Sequence, residues 1–237
     1  MTAGIDQAMR KATFAFFAKD APVLVNGNPY WIDSGAHGLN ARQLNFTAPA
    51  YGKALNVRNR PYLGFAGLEF CNLPLRFYND APTNGLTMVL MAEHLDPVQD
   101  DIIFDCVDPV GGVTGVRLYY QADDVLELLA YDAGGATMTV TDTAALPLSD
   151  RTLVSVAVLN QTAGLGEMYH DGLPNGTFAG STNPIAYTAT ATPTIGASSG
   201  GQSGTPTVNI YALLMFPWAF SCQEVKWATR HLWDWVW

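Results

Sequence analysis

The sequence predicts an all-β protein, built as an antiparallel sandwich of two sheets. From about residue 55 onward, apolar and polar residues alternate with a period of two, which is the pattern of half-buried strands. Turn residues recur roughly every 8–12 residues, a spacing typical of short antiparallel strands rather than of strand–helix–strand units. Charged residues make up only 14% of the 237 residues, below the ~25% of an average protein.

The N-terminal segment, residues 3–19, is the first with helical spacing. Its apolar residues fall three or four positions apart: Ile5, Met9, Ala12 and Phe16. Pro22 then ends the segment. We expect a helix packed on the domain edge or an arm, helical or extended, that docks on a partner. Residues 1–49 are therefore interpreted as an arm followed by a loop-rich segment.

Residues 50–232 carry the predicted sandwich, with about ten strands at the spacing of an antiparallel meander. The apolar run 86–95 is expected to be a central strand buried on both faces. In the run 152–160, valines occupy one face, which is expected to point at the core. Further strands are predicted at 100–108, 115–121, 124–132 and 207–216.

The C-terminus predicts a short helix followed by a tryptophan-rich tail over 233–237. Ser221 and Glu224 form a capping box, in which each side chain bonds the backbone N–H of the other, and this predicts a helix from 222 to 231. Four tryptophans lie in the last eleven residues, and each ring can bury a large apolar area. We expect the tail to fold back over the sandwich or to anchor a partner.

The stretch Tyr-His-Asp-Gly at 169–172 raises the question of a catalytic His–Asp pair. Side chains of adjacent strand residues point to opposite faces, so His170 and Asp171 cannot act together. Asp171 and Gly172 instead predict a two-residue hairpin turn, because both residues tolerate a positive φ. His170 is expected to be half-buried and bonded to a backbone carbonyl.

This region resembles the laminin-G-like, concanavalin A-like jelly-roll family. The resemblance is carried by a Y-x-D-G hairpin, an I-G strand, a last apolar strand and an S-x-x-E-V helix. The matching residues are Tyr169, Asp171, Gly172, Ile195, Gly196, Ile210, Leu213, Ser221, Glu224 and Val225. It covers residues 50–232 and implies a jelly-roll sandwich with a short C-terminal helix.

Catalytic motifs are missing from the sequence. Hydrolases with this sandwich place paired carboxylates on an E-x-D-x-x-E strand, but no glutamate here is followed by aspartate two positions later. The chain also lacks G-x-S-x-G, H-E-x-x-H and a phosphate-binding loop. We therefore expect a protein that is not an enzyme.

Two weak sets of ligand-binding candidates remain. Exposed aromatic rings can stack on sugars, and the candidates are Trp31, Tyr119 and Tyr120, with core packing as the alternative. The resemblance implies calcium as the one conceivable cofactor, with oxygen donors at Asp100, Asp101, Asp105 and Asp108. These aspartates do not follow an EF-hand loop, so a solvated acidic strand edge is the alternative interpretation.

Charge and cysteine content restrict the partners. The net charge of −9 argues against nucleic acid, because phosphate binding needs clusters of Lys and Arg. No apolar stretch approaches the ~20 residues of a membrane span, and the N-terminus has no signal-peptide pattern. Three widely spaced cysteines indicate free thiols rather than a disulfide framework or a zinc site. We expect assembly in a host cytoplasm.

These observations leave two functions open. The first is a bacteriophage virion protein, for example a head decoration, fibre or tail component, that docks to other virion proteins and forms homo-oligomers. Free thiols, few charges and two terminal extensions fit it, and the family resemblance extends to domains of phage structural proteins. The second is a carbohydrate-binding or adhesion module that recognises a cell-surface glycan.

Overall fold

A computed structural model describes residues 9–20, 23–25, 28–44, 51–53, 61–66, 69–95, 100–143, 152–199 and 206–235. The first eight strands are β1 (Phe14–Phe17), β2 (Val23–Val25), β3 (Asn28–Trp31), β4 (Ala41–Leu44), β5 (Tyr51–Lys53), β6 (Pro61–Ala66), β7 (Phe70–Asn72) and β8 (Leu86–His94). The remaining nine are β9 (Asp101–Asp105), β10 (Val116–Tyr120), β11 (Leu126–Tyr131), β12 (Thr137–Thr141), β13 (Leu153–Asn160), β14 (Leu165–His170), β15 (Leu173–Ala179), β16 (Thr194–Ile195) and β17 (Thr207–Phe216). The described residues also form the α-helices α1 (Phe77–Asp80) and α2 (Cys222–Trp235) and a 3-10 turn at Ala18–Asp20.

The strands form two antiparallel sheets, which confirms the predicted all-β sandwich. The front sheet has the order β15-β14-β13-β8-β17-β6-β5, with β1 also paired to β17. The back sheet has the order β12-β11-β10-β9-β16-β7-β4-β3-β2. Within the ranges described above, neither helix is long and apolar enough to cross a membrane.

Apolar side chains fill two cores, because the front sheet is covered on both faces. The main core lies between the sheets, and a second core lies between the front sheet and α2. Strand β8 is buried along its first seven residues, as expected for a central strand with two covered faces. The valines of β13 belong to the second core, whereas Ala157 and Leu159 face the back sheet. The predicted valine face therefore points at the helix rather than between the sheets.

The predicted capping box is present at the start of α2. The Ser221 N–H donates to Glu224 Oε2 at 2.7 Å, and the Glu224 N–H donates to Ser221 Oγ at 3.4 Å. The helix continues four residues past its predicted end, to Trp235. Trp227 and Trp233 pack partly buried against the second core, so the tail folds back over the sandwich as far as it is described.

The helix predicted over 3–19 is wrong for residues 14–17, which form β1. All four of its residues are buried, with Phe14 and Phe16 in the main core and Ala15 and Phe17 in the second core. Aromatic rings that alternate between two covered faces favour a strand, and β17 offers an open edge at Ala212–Met215 beyond its pairing with β6. Residues 1–8 lie outside the described part. Strand β1 pairs in the front sheet, and β2 to β4 pair in the back sheet.

Candidate functional site

A bulge in β9 decides which of the side chains of this strand face outward from the back sheet. The register between β9 and β10 shifts between Leu118 and Tyr119, which leaves Ile103 as the extra residue. As a result, Asp101 pairs with Tyr120 on the inner face, while Asp105 pairs with Arg117 on the outer face. Tyr119 also faces outward and is half-buried.

Tyr119 lines a shallow depression of about 450 Å³ at the turn between β10 and β11. The other lining residues are Asp100, Gln121, Ala122 and Asp123. The depression therefore combines one aromatic ring, one amide and two carboxylates on a solvent-facing surface.

Glu127 fixes the depression from the neighbouring strand β11. Its side chain is almost fully buried, at 7% exposure, and lies opposite Tyr119 across the β10–β11 pairing. The Tyr119 hydroxyl donates to Glu127 Oε1 at 2.5 Å, and Gln121 Nε2 donates to Glu127 Oε2 at 2.6 Å. Burial and the Glu127 carboxylate together raise the pKa of Tyr119 well above its usual range, so the phenol stays neutral. The ring and the amide are thus held in place before any ligand arrives.

Asp100 joins the depression to the start of β9. Its Oδ1 accepts a hydrogen bond from the Ala122 N–H at 3.2 Å, and its side chain is exposed. A carboxylate offers about four lone-pair sites, so Asp100 keeps acceptors for further donors. Sugar hydroxyls are such donors, and the apolar C–H face of a sugar ring packs on an aromatic ring.

Of the three predicted sugar-stacking residues, two face the interior. Trp31 is 0% exposed, and its Nε1 donates to the Phe17 carbonyl at 2.8 Å. Tyr120 is 2% exposed and stacks on the His94 ring, with centroids 4.3 Å apart. A sugar ring cannot reach either of these two side chains, which leaves Tyr119 as the accessible member of the set.

The four calcium candidates do not converge. The bulge places Asp101 on the inner face and Asp105 on the outer face. Asp105 accepts bonds from Arg117 Nη2 at 2.9 Å and from two backbone N–H groups, while Asp108 caps its own loop at Val110 N. Among the residues that the structure describes, no group of three or more His, Cys, Asp or Glu is arranged to hold a metal ion.

His94 connects the two sheets through two aspartates. Its Nε2 lies 2.8 Å from Asp101 Oδ2, and its Nδ1 makes a short contact with Asp124 Oδ1. Burial on its own lowers the pKa of His94, but the hydrogen bonds to Asp101 and Asp124 outweigh it and raise the pKa above its usual value. Asp124 lies in the same turn as Gln121, with φ of 62°, so this bridge also positions the wall of the depression.

The Asp171–Gly172 hairpin turn is confirmed, with φ values of 49° and 80°. His170, however, is bonded to side chains rather than to the expected backbone carbonyl. Ser155 Oγ lies 2.8 Å from its Nδ1, and Asp142 Oδ1 lies 2.5 Å from its Nε2. The three groups follow the order of a Ser–His–Asp triad.

This Ser–His–Asp chain is enclosed by protein. Ser155 lies on the central strand β13 and is only 2% exposed, so a substrate carbonyl cannot approach its oxygen. Asp142 also accepts bonds from Asn175 Nδ2 at 2.8 Å and from the Leu126 N–H at 2.9 Å. The chain links β14 of the front sheet to the end of β12 in the back sheet. It is therefore a second polar bridge between the sheets.

The His94 and His170 bridges were not found by sequence reasoning. Their aspartate partners are 7 to 30 residues away in the chain and belong to the back sheet or its turns. The one available signal was that histidines and aspartates interrupt predicted strands whose neighbours are apolar.

No protein-family model matches the sequence, and the search of curated proteins finds no significant match. Solved structures do resemble the fold. One is a structure of botulinum neurotoxin type C, whose cell entry is described as dependent on interaction with two ganglioside molecules. It is 11% identical with a TM-score of 0.62, and the match covers 98% of this chain and 53% of that one. The Trypanosoma rangeli sialidase, solved with a difluorinated KDN, is 15% identical with a TM-score of 0.55, over 94% of this chain and 33% of that one.

The NanB sialidase of Streptococcus pneumoniae is also similar, at 14% identity and a TM-score of 0.54, over 70% of this chain and 27% of that one. This chain thus spans about half the length of the toxin chain and a third or less of the two sialidases. At such identities the likeness shows a β-sandwich fold, and the ligands of those proteins do not come with it.

Proposed function

We propose that this protein is a non-catalytic carbohydrate-binding module whose ligand occupies the Tyr119 depression. The similar structures support a sugar ligand, since one is described with gangliosides and another with a KDN derivative. Functions differ among proteins of one fold, so the argument depends on the site itself.

The observation that carries the proposal is the fixed pairing of Tyr119 and Gln121 on Glu127. An outward-facing ring that is already oriented offers a stacking platform without loss of side-chain entropy on binding. Beside it, Asp100 and Asp123 supply acceptors for sugar hydroxyls. None of the described residues that line the depression carries a positive charge, so the expected ligand is a neutral glycan.

The absence of catalysis is proposed because the one Ser–His–Asp chain among the described residues is closed to substrate. Glu127 is also occupied by two strong hydrogen bonds and is only 7% exposed. A fluorophosphonate probe tests this part directly. We expect no labelling of Ser155, whereas covalent modification of that serine would contradict the proposal.

A neutral-glycan array followed by calorimetry tests the binding function. Tyr119→Ala removes the platform and is expected to weaken binding of the best array ligand on the order of tenfold or more. Tyr119→Phe keeps the ring and loses only the bond to Glu127, so its loss should be smaller. Tyr131→Ala is the matched control, a half-buried tyrosine of the same sheet that lies away from the depression. No array ligand, or equal losses in Tyr119→Ala and the control, would overturn the proposal.

The virion role and virion location stay predictions, since none of the structures named above is described as a virion protein. Sedimentation tests the assembly part, because a self-assembling virion component should form closed symmetric oligomers. Deleting residues 1–20 cannot serve as the test of an arm, since it removes β1, which is buried in both cores. Deleting residues 1–8 leaves every described residue in place and is the appropriate truncation.

A further inference from the structure

A second depression, of about 300 Å³, lies at the other end of the back sheet. It is lined by Val25, Tyr30, Gly38, Asn40, Pro74 and Arg76. Four strands separate β3 from β10 in the sheet order, which places the two depressions roughly 24 Å apart at about 4.8 Å per strand. One sugar residue cannot contact both.

Tyr30 faces outward because its neighbour Trp31 points into the main core. The β3–β4 register pairs Tyr30 directly with Arg42, so the ring and the guanidinium stand side by side on the outer face. Arg42 is exposed, and its Nη2 donates to Asn28 Oδ1 at 3.0 Å. Val25, at 42% exposure, adds an apolar surface next to the ring.

Arg76 is the one charged side chain among the described residues that line this depression. It is exposed, and its Nη2 donates a hydrogen bond to the Gly38 carbonyl. A guanidinium has five N–H donors in a planar fork, so this bond orients the group and leaves donors for a ligand. The fork matches the two oxygens of a carboxylate.

The loop that forms one wall is fixed by a buried aspartate. Asp33 accepts hydrogen bonds at 2.7–2.8 Å from the backbone N–H groups of Ala15, Gly35 and Leu39. Asn40 Oδ1 accepts the Asp33 N–H at 3.0 Å, which leaves the Asn40 amide nitrogen with two N–H donors. Because the Asp33 carboxylate is turned into the loop, the wall is ordered without placing an anion in the depression.

The carboxylate of Asp80, close to this loop, also has a partner. Asp80 Oδ2 lies 3.3 Å from His37 Nδ1, with both side chains 34% exposed. In an acidic protein of net charge −9, this end of the back sheet therefore presents two arginines and amide donors around an aromatic ring.

We infer that the Tyr30–Arg76 depression is a second binding site, which takes a sugar bearing a carboxylate, such as a uronic or sialic acid. The Arg76 fork receives the carboxylate, with Arg42 strengthening the positive field. Tyr30 and Val25 contact the apolar face of the ring, and the Asn40 amide donates to a sugar oxygen. This site does not depend on the one at Tyr119.

The test is a titration of the full chain with 3′-sialyllactose, glucuronic acid, lactose and 3′-sulfolactose, followed by NMR chemical shifts of residues 28–42 and 74–76. We expect sialyllactose and glucuronic acid to shift these signals and lactose to leave them unchanged. Arg76→Gln should weaken binding of the acidic sugars on the order of tenfold or more. The control Arg230→Gln, which changes an exposed arginine on α2, should bind like the unmodified protein.

Equal responses to lactose and sialyllactose, or equal affinity in Arg76→Gln and Arg230→Gln, would overturn the inference. Binding of 3′-sulfolactose as strong as that of sialyllactose would also overturn it, by showing a site for anions in general. Neutral-glycan binding that depends on Tyr119, together with no binding of the acidic sugars, would disprove the second site and leave the proposed function standing. Acidic-sugar binding that depends on Arg76, without neutral-glycan binding, would do the reverse.

Discussion

The two depressions of the back sheet share a plan and differ in charge. Each presents an outward tyrosine held beside a fixed turn or loop, and each lies on the same face of the same sheet. Around Tyr119 the charged groups are carboxylates, whereas around Tyr30 they are guanidinium groups. The back sheet thus positions the rings, and the neighbouring side chains decide which class of sugar each ring can receive.

The centre of that face is closed by protein. The outer-face residue Thr194 is 2% exposed, and its hydroxyl donates to the Ala197 carbonyl at 2.6 Å. Ser199 N donates to Asp105 Oδ2 at 2.9 Å, which ties the loop after β16 to β9. The two depressions are therefore separated by a covered strip, and each should respond to its own substitutions.

Removing a core side chain beneath the Tyr30 depression tests whether that end of the back sheet depends on the main core. Phe16 packs beneath Trp31, with ring centroids 5.2 Å apart, directly inside the Tyr30 strand. Phe16→Ala should lower the free energy of unfolding by about 3–5 kcal/mol, because it leaves a cavity in a closely packed interior. Urea unfolding measures the loss. A loss below about 1 kcal/mol would show that β1 is not part of the folded sandwich.

Removing either tyrosine ring should give the next largest effect. Tyr30→Ala should weaken acidic-sugar binding on the order of tenfold and leave neutral-glycan binding unchanged, while Tyr119→Ala should do the opposite. Calorimetry of both variants against both ligands provides the four values. If either variant loses both ligands equally, the two depressions are not independent.

The pH dependence of stability should distinguish the two ends of the back sheet, because His94 supports the turn beside Tyr119 and not the Tyr30 depression. Because the folded-state pKa of His94 is raised, its protonated form stabilises the fold fully below its unfolded pKa of about 6.5. This contribution is lost as the pH rises through the higher folded value. We expect the urea midpoint to fall across that window, and the fall to be much smaller in His94→Gln. An identical pH profile in the two proteins would contradict the role of His94.

Salt should produce the smallest difference. Raising the ionic strength screens the attraction between Arg76 and a carboxylate, so acidic-sugar binding should weaken by a few-fold between about 0.01 M and 0.15 M salt. Neutral-glycan binding at Tyr119 should be nearly unaffected. Calorimetry at the two salt concentrations measures both, and equal salt dependence would remove the charge distinction.

Features determined by neighbouring residues could be predicted from the sequence. The turn at Asp171–Gly172 and the capping box of Ser221 and Glu224 need only two to four consecutive residues to define them. The burial of β8 on both faces also follows from its continuous apolar run.

Features that depend on tertiary contacts could not. The helical spacing of 3–19 was overridden for β1 by the open edge of β17. The bulge at Ile103 placed Asp101 and Asp105 on opposite faces of the sheet, although they are four positions apart in one strand. Tyr30 and Arg76 were not predicted as a site, because they are 46 positions apart in the chain and meet only through the β3–β4 edge and the loop before α1.

The most direct test of a sugar site at Tyr119 is a chemical-shift titration of isotope-labelled protein with the strongest neutral ligand from the array. The account predicts saturable shifts confined to residues 119–123, Asp100 and Glu127, with the Tyr30 region unchanged. Shifts that map elsewhere, or a spectrum that does not respond at millimolar sugar, would contradict it.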